Sequence, residues 1–168
     1  MSPIGHFAIA FSAKPATKKI PLWLLLVAAE LLDLLNGLFQ VLHIENLGVN
    51  HVDLSHGITT IIPAIIHWSH GLFMALIWSL ASAIISSFIF HERQAGIIIG
   101  LTVFSHWVLD FIVHSPDLPL LFQNSQKVGH GLWATGPGFI ASIVLEFCLL
   151  AGGIAFYAMM RKRKAVRI

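Results

Sequence analysis

Charge is what this chain has least of. Charged residues make up 11% of its 168 positions and hydrophobic ones 57%, whereas a soluble domain carries roughly a quarter charged residues. That balance excludes an ordinary water-soluble globule and predicts a polytopic membrane protein. Cysteine is nearly absent: Cys148 stands alone inside an apolar run, which leaves neither an internal disulfide nor a thiolate metal cluster. The net charge of +2 comes from lysines and arginines gathered at a few points, so no nucleic-acid footprint is present. No period of 20 to 50 residues recurs, which excludes a repeat array. Near the N-terminus an apolar half-helix, Phe7 to Phe11, comes before Lys14, Lys18 and Lys19. A secretory signal has the reverse order, so no cleaved leader is expected.

What the chain does have is long apolar runs. Four stretches are long enough to span a bilayer at ~20 residues each: 22–42, opened by Pro21 at a position where its missing donor costs nothing; 71–90; 95–114, ended by Ser115-Pro116; and 137–160. The expected fold is all-α, a single integral-membrane helical bundle of about four transmembrane helices plus a short N-terminal half-helix. Two polar segments, 43–66 and 118–136, read as loops. Nine of the ten lysines and arginines fall on one side of such a bundle and only Lys127 on the other. The positive-inside rule then predicts both termini in the cytoplasm and both long loops outside.

Four of the eight acids, Glu30, Asp33, Asp110 and Glu146, lie inside the apolar stretches, where there is no lysine or arginine to balance them. A charged side chain at mid-span costs about 2.5 to 3.5 kcal/mol on insertion scales, so each must face inward and have a partner. Histidines are the available partners. His106, Asp110 and His114 recur every fourth residue and form one stripe if the stretch is helical. His67 and His70, three apart, open the preceding span as neighbours on a first helical turn. Imidazoles and carboxylates can therefore converge from three helices, a donor set suited to zinc or another divalent transition metal. The same set could relay protons, or the buried acids could serve only to specify packing.

These motifs carry a resemblance. Gly5-His6, the acids of the first span, Ser69-His70-Gly71 and Ser105-His106 with Asp110 four residues on together resemble the membrane-bound metal-dependent hydrolases of the LexA-regulated inner-membrane type. His114-Ser115-Pro116-Asp117-Leu118-Pro119 and Gly131-Leu132-Trp133 are similar to a bacterial branch of that group. The resemblance implies His6, the first-span acids, His70, His106 and Asp110 as metal ligands. It also implies a location in the bacterial cytoplasmic membrane. Two departures stand out. The family's Pro-Asp-x-Asp element is replaced by Glu30 and Asp33, and His67-Trp68-Ser69-His70-Gly71 lacks an arginine that could hold an anionic substrate.

The leading expectation is thus a membrane-embedded hydrolase with a divalent ion, zinc being the natural choice for such donors. His6, His67, His70, His106, Asp110 and His114 are the candidate metal-binding residues, and Glu30 and Asp33 the candidate catalytic carboxylates. A site beneath the outer surface predicts an amphiphilic substrate drawn from membrane lipid, such as a phospholipid or a lipid-linked phosphoester. A proton- or metal-conducting transporter and a non-catalytic structural membrane protein are the alternatives.

Overall fold

A computed structural model describes residues 2–53, 58–62 and 64–165, with backbone alone for 49–53, 58–62 and 164–165. Helix α1 (Pro3–Ala13) leads through a 3₁₀ turn to α2 (Leu22–Ala29) and α3 (Leu31–Val41). A hairpin, β1 (Val49–Asp53) with β2 (Ile58–Ile62), and a one-turn helix, α4 (His67–His70), come next. Helices α5 (Leu72–Phe90), α6 (Arg93–Val113) and α7 (Gly136–Ala165) follow, with the two-residue strands β3 (Leu118–Pro119) and β4 (Lys127–Val128) between the last two. Helices α5, α6 and α7 are each long and apolar enough to cross a membrane, and α2 with α3 makes a fourth span if the pair is taken as one. The all-α membrane bundle expected from composition is therefore what the chain forms.

Three details differ from the sequence reading. The first span is not one helix: α2 and α3 meet at Glu30 with a bend of 57°. The 43–66 segment, read as loop, contains an antiparallel hairpin in which Val49 pairs with Ile62 and Asp53 with Ile58; its tip, with Ser55 and His56, lies outside the described residues. The β-branched residues of Ile58–Ile62 suit an extended backbone, a signal that the surrounding polar residues obscure. Third, His67–His70 is not the first turn of α5. Gly71 interrupts the helix with extended backbone, and a Cβ there would stand 2.5 Å from the His67 carbonyl oxygen.

Small residues set the helix spacing, as they do where no hydrophobic force drives one apolar helix onto another. Along α6, a Cβ on Gly96 would meet the Ala83 carbonyl oxygen of α5 at 2.3 Å, and one on Gly100 would meet the Ala83 Cβ at 2.9 Å. The two helices pack as an antiparallel pair around a turn in which His91 takes the left-handed conformation. Of the long helices, α6 is the most buried, while α5 and α7 expose residues such as Leu80, Phe88, Ile140 and Phe147 outward.

Helix α1 lies along α7 and runs in the same direction. Ser2 donates to the Glu146 carboxylate through both its backbone N–H and its hydroxyl. Ala8 sits against Gly153, and Phe11 packs on Tyr157. The amino end of α1 is thus held ten residues inside α7, with Glu146 supplying the acceptor that a helix start needs. Its far end joins the basic end of the bundle, where Lys19 pairs with Glu92 at 3.3 Å and Gln94 donates to the Ala16 carbonyl.

Gly153→Leu should push α1 off α7, because a Cβ there would lie 2.6 Å from the Ala8 carbonyl oxygen. The expected loss is about 1–3 kcal/mol, read as a lower melting temperature in detergent. Gly152→Leu is expected to leave the melt unchanged, since nothing lies within 4 Å of that position.

Candidate metal centre

The polar stripe of α6 meets three other elements near the end of the bundle opposite the basic residues. His106 and Asp110 are one helical turn apart and almost fully buried. Helix α1 brings His6, also buried, whose ring stacks on that of His106 with centroids 3.7 Å apart and planes 7° off parallel. Helix α4 brings His70, and the first turn of α3 brings Asp33, which lies on the α3 side of the bend.

Around these atoms the spacing is regular. His70 Nε2 lies 3.2 Å from Asp33 Oδ1 and 3.5 Å from Asp110 Oδ2. His106 Nε2 lies 3.6 Å from Asp33 Oδ1 and 3.3 Å from Asp110 Oδ2. His6 Nε2 lies 3.5 Å from the other oxygen, Asp110 Oδ1. Most of these exceed an N–H···O bond, at about 2.7–3.2 Å. They match the roughly 3.3–3.4 Å that separates two donors held at 2.0–2.1 Å by one tetrahedral ion. His106 Nε2 and both nitrogens of His6 are buried with no hydrogen bond of acceptable geometry. They come close to the carboxylates without being aligned to donate to them. His6, Asp33 and His106 form one donor group that could hold a metal ion, and His70, His106 and Asp110 another.

The tautomers follow from the partners. His106 Nδ1 is 2.7 Å from the carbonyl oxygen of Ala29, an acceptor, so Nδ1 carries a proton and Nε2 is the atom turned on the carboxylates. Ala29 ends α2, and the bend at Glu30 leaves this helix-end carbonyl open to a partner from another helix. His70 is fixed by a longer chain. Glu45, 3% exposed, accepts from Trp68 N–H at 2.8 Å, Ser69 N–H at 3.0 Å, Ser69 Oγ at 2.6 Å and Asn36 Nδ2 at 2.9 Å. The Ser69 hydroxyl gives its proton to Glu45 and must therefore accept from His70 Nδ1, 2.8 Å away. Trp107 Nε1 holds the His70 carbonyl at 2.9 Å from the α6 side. Both rings thus present Nε2 to Asp33 and Asp110, with a carbonyl or a serine–carboxylate pair behind each, the arrangement that orients histidine ligands in metal sites.

Of the residues expected from sequence, His6, Asp33, His70, His106 and Asp110 come together. Two histidines do not join the donor groups. His114, just past the end of α6, has Nε2 3.9 Å from Asp110 Oδ1, while its Nδ1 faces Asp117 Oδ1 at 3.2 Å and its ring lies against Trp133. It is a rim residue. His67 packs its ring against Trp68 and Phe122, with Nδ1 buried and unbonded. The break at Gly71 confines α4 to one turn, so the shared face expected of His67 and His70 is not continued into α5. Glu30 stands at the bend with Oε1 buried and without a hydrogen-bond partner, in electrostatic range of His106, Asp33 and Asp110. Glu146 is taken up by Ser2. Sequence reasoning missed Glu45 and Ser69. The only local signal was a hydroxyl directly before His70, and nothing in the chain pointed to an acid 24 residues upstream of Ser69.

Long-range ¹⁵N–¹H spectra are expected to show His70 and His106 protonated at Nδ1. Ser69→Ala should disturb the His70 tautomer and leave that of His106 in place; equal changes in both rings would contradict the separate supports described above. Searches of the chain against protein-family models, curated proteins and solved structures find no match.

Proposed function

We propose that the protein is a membrane-embedded, metal-dependent hydrolase acting on an amphiphilic substrate, a lipid or lipid-linked phosphoester, of the kind its motifs resemble. The observation that carries this reading is the convergence of His70 and His106, each held through Nδ1 by a fixed partner, with their Nε2 atoms 3.2–3.6 Å from two carboxylates. Carboxylates buried in an apolar interior need positive charge beside them, and a divalent ion between the four donors would supply it. Two aspartates balance the charge of one divalent ion, and nitrogen with oxygen donors suits zinc. His70, His106, Asp33 and Asp110 would hold it, with His6 beside them against the His106 ring. When bound, such an ion lowers the pKa of water toward 7 and polarises a phosphoryl or carbonyl oxygen.

The other roles belong to the chain. Asp33, whose side chain is 39% exposed, marks the side from which substrate reaches an otherwise buried cluster. Glu30, with an oxygen free of partners, is the group positioned to accept a proton. His114, oriented by Asp117 at the half-buried rim, can exchange protons between solvent and the site. The surrounding apolar helices keep bulk water out.

The same reading places the protein in the bacterial inner membrane with the basic end in the cytoplasm, following the charge asymmetry. The cluster then opens toward the outer leaflet, and lipid rather than nucleic acid is the partner. Elemental analysis of detergent-purified protein tests it. Wild type should carry about one divalent ion per chain, while His106→Ala and Asp110→Ala should lose it with helical content retained. Equal metal content in all three would overturn the proposal. Ser69→Ala and Glu45→Gln are expected to weaken the metal by about 10–100-fold, the range for losing an outer support of a histidine ligand, measured by chelator competition.

A further inference from the structure

At the opposite end of the bundle, a second site is built from different residues and owes nothing to the histidine cluster. Where α1 ends, Pro15 and the 3₁₀ turn Lys14–Ala16 carry the chain away from α7, which continues straight past Arg161. The wedge between them holds two adjoining cavities. One, of about 250 Å³, is lined by Lys14, Lys18 and Arg161 together with Thr17, Tyr157 and Met160. The other, of about 590 Å³, lies beside it against Phe11, Ile154 and Ala158, with Lys162 at its edge, and shares Tyr157 and Arg161 with the first. A cationic chamber thus opens into an apolar trough within one or two turns of the basic end of a membrane helix.

The charge of the chamber is not neutralised by protein. Among the described residues none of Lys14, Lys18 and Arg161 has a carboxylate partner, and the nearby Glu92 is paired with Lys19. The Lys14 ammonium is fixed, donating to the carbonyls of Ile20 at 2.7 Å and Thr17 at 3.2 Å. Those bonds orient it without cancelling its charge, and an ammonium has three protons to give. Arg161 adds a planar fork of donors matched to phosphate. An apolar occupant alone would leave the cations unmet, and a free anion alone would leave the trough unfilled. A zwitterionic headgroup would bring its own ammonium among three cations with no acid to receive it.

We propose that this wedge binds one anionic phospholipid, with the headgroup phosphate among Lys14, Lys18 and Arg161 and an acyl chain in the trough along Phe11, Ile154 and Ala158. Basic pockets between membrane helices recognise anionic headgroups through this combination of charge and apolar depth. The lipid would brace the junction of α1 with α7 and so the helix that carries His6.

The test uses delipidated full-length protein in detergent, titrated with phosphatidylglycerol or phosphatidylcholine and read by native mass spectrometry and thermal melting. The expected result is a single retained phosphatidylglycerol that raises the melting temperature and that phosphatidylcholine does not displace. Lys18→Gln with Arg161→Gln, both at exposed positions, should melt like wild type when delipidated and bind phosphatidylglycerol roughly 25-fold more weakly, at about fivefold for each cation removed. Equal retention of the two lipids, or undiminished binding by the double variant, would overturn the proposal. Displacement of the lipid by inorganic phosphate would also do so, by making this a site for phosphate alone. Metal content is expected to be the same in all these samples, so failure here and failure of the metal-centre reading are read separately.

Discussion

A carboxylate buried in an apolar helix bundle is the constraint to which the rest of this structure answers. Asp110 is 1% exposed, and no lysine or arginine lies within the apolar stretches around it. Imidazoles arrive instead, from α1, α4 and α6, with a second aspartate from α3. Delivering them requires irregular backbone in each neighbour. Helix α1 begins part-way along α7, α2 and α3 bend at Glu30, and α4 is cut off from α5 at Gly71. Departures from ideal helix within a membrane are tolerated where the freed groups find partners inside the protein. Here they do: Ala29 receives His106, and the first N–H groups of α4 are met by Glu45.

The supports behind the cluster explain how it can be well defined although two of its elements are short. One turn of helix has no stability of its own in water or lipid. Helix α4 is held by three hydrogen bonds to Glu45, which Asn36 of α3 also contacts, and by Trp107 from α6, so His70 inherits its position from two directions. His106 needs less, since α6 is long and packed on α5 through Gly96 and Gly100. His6 depends on α1, which is anchored at one end by Glu146 and at the other by the basic junction. Helix α1 thus runs between the two ends of the molecule, carrying His6 near one and reaching Lys14 at the other.

Legibility in the sequence followed the range of the interaction. His106 and Asp110 were readable because both sit on one regular helix, where a spacing of four fixes a shared face. His67 shares the single turn of α4 with His70, but its ring packs against Trp68 and Phe122 and does not join the donor groups. His114 shares the spacing as well, yet α6 stops at Val113 and leaves it on the rim beside Asp117. Glu45 could not be read at all. It lies among polar residues typical of a loop, and its burial comes from the return of the chain at Ser69, 24 residues later. Glu146 was legible only as an acid in need of a partner, and its carboxylate receives the start of α1.

By itself the sequence determined the class of the protein, the approximate limits of its three long apolar helices, the end at which its basic residues gather, and the presence of acids that need partners inside the bundle. These depend on composition and on contacts within one helix, which are local quantities. Only the tertiary structure decided which histidines meet which carboxylates, which nitrogen each ring presents, and that an acid from a distant segment stands behind His70. Those outcomes depend on where helices bend and stop, and a bend is set by the competition of all neighbouring segments for the same backbone groups.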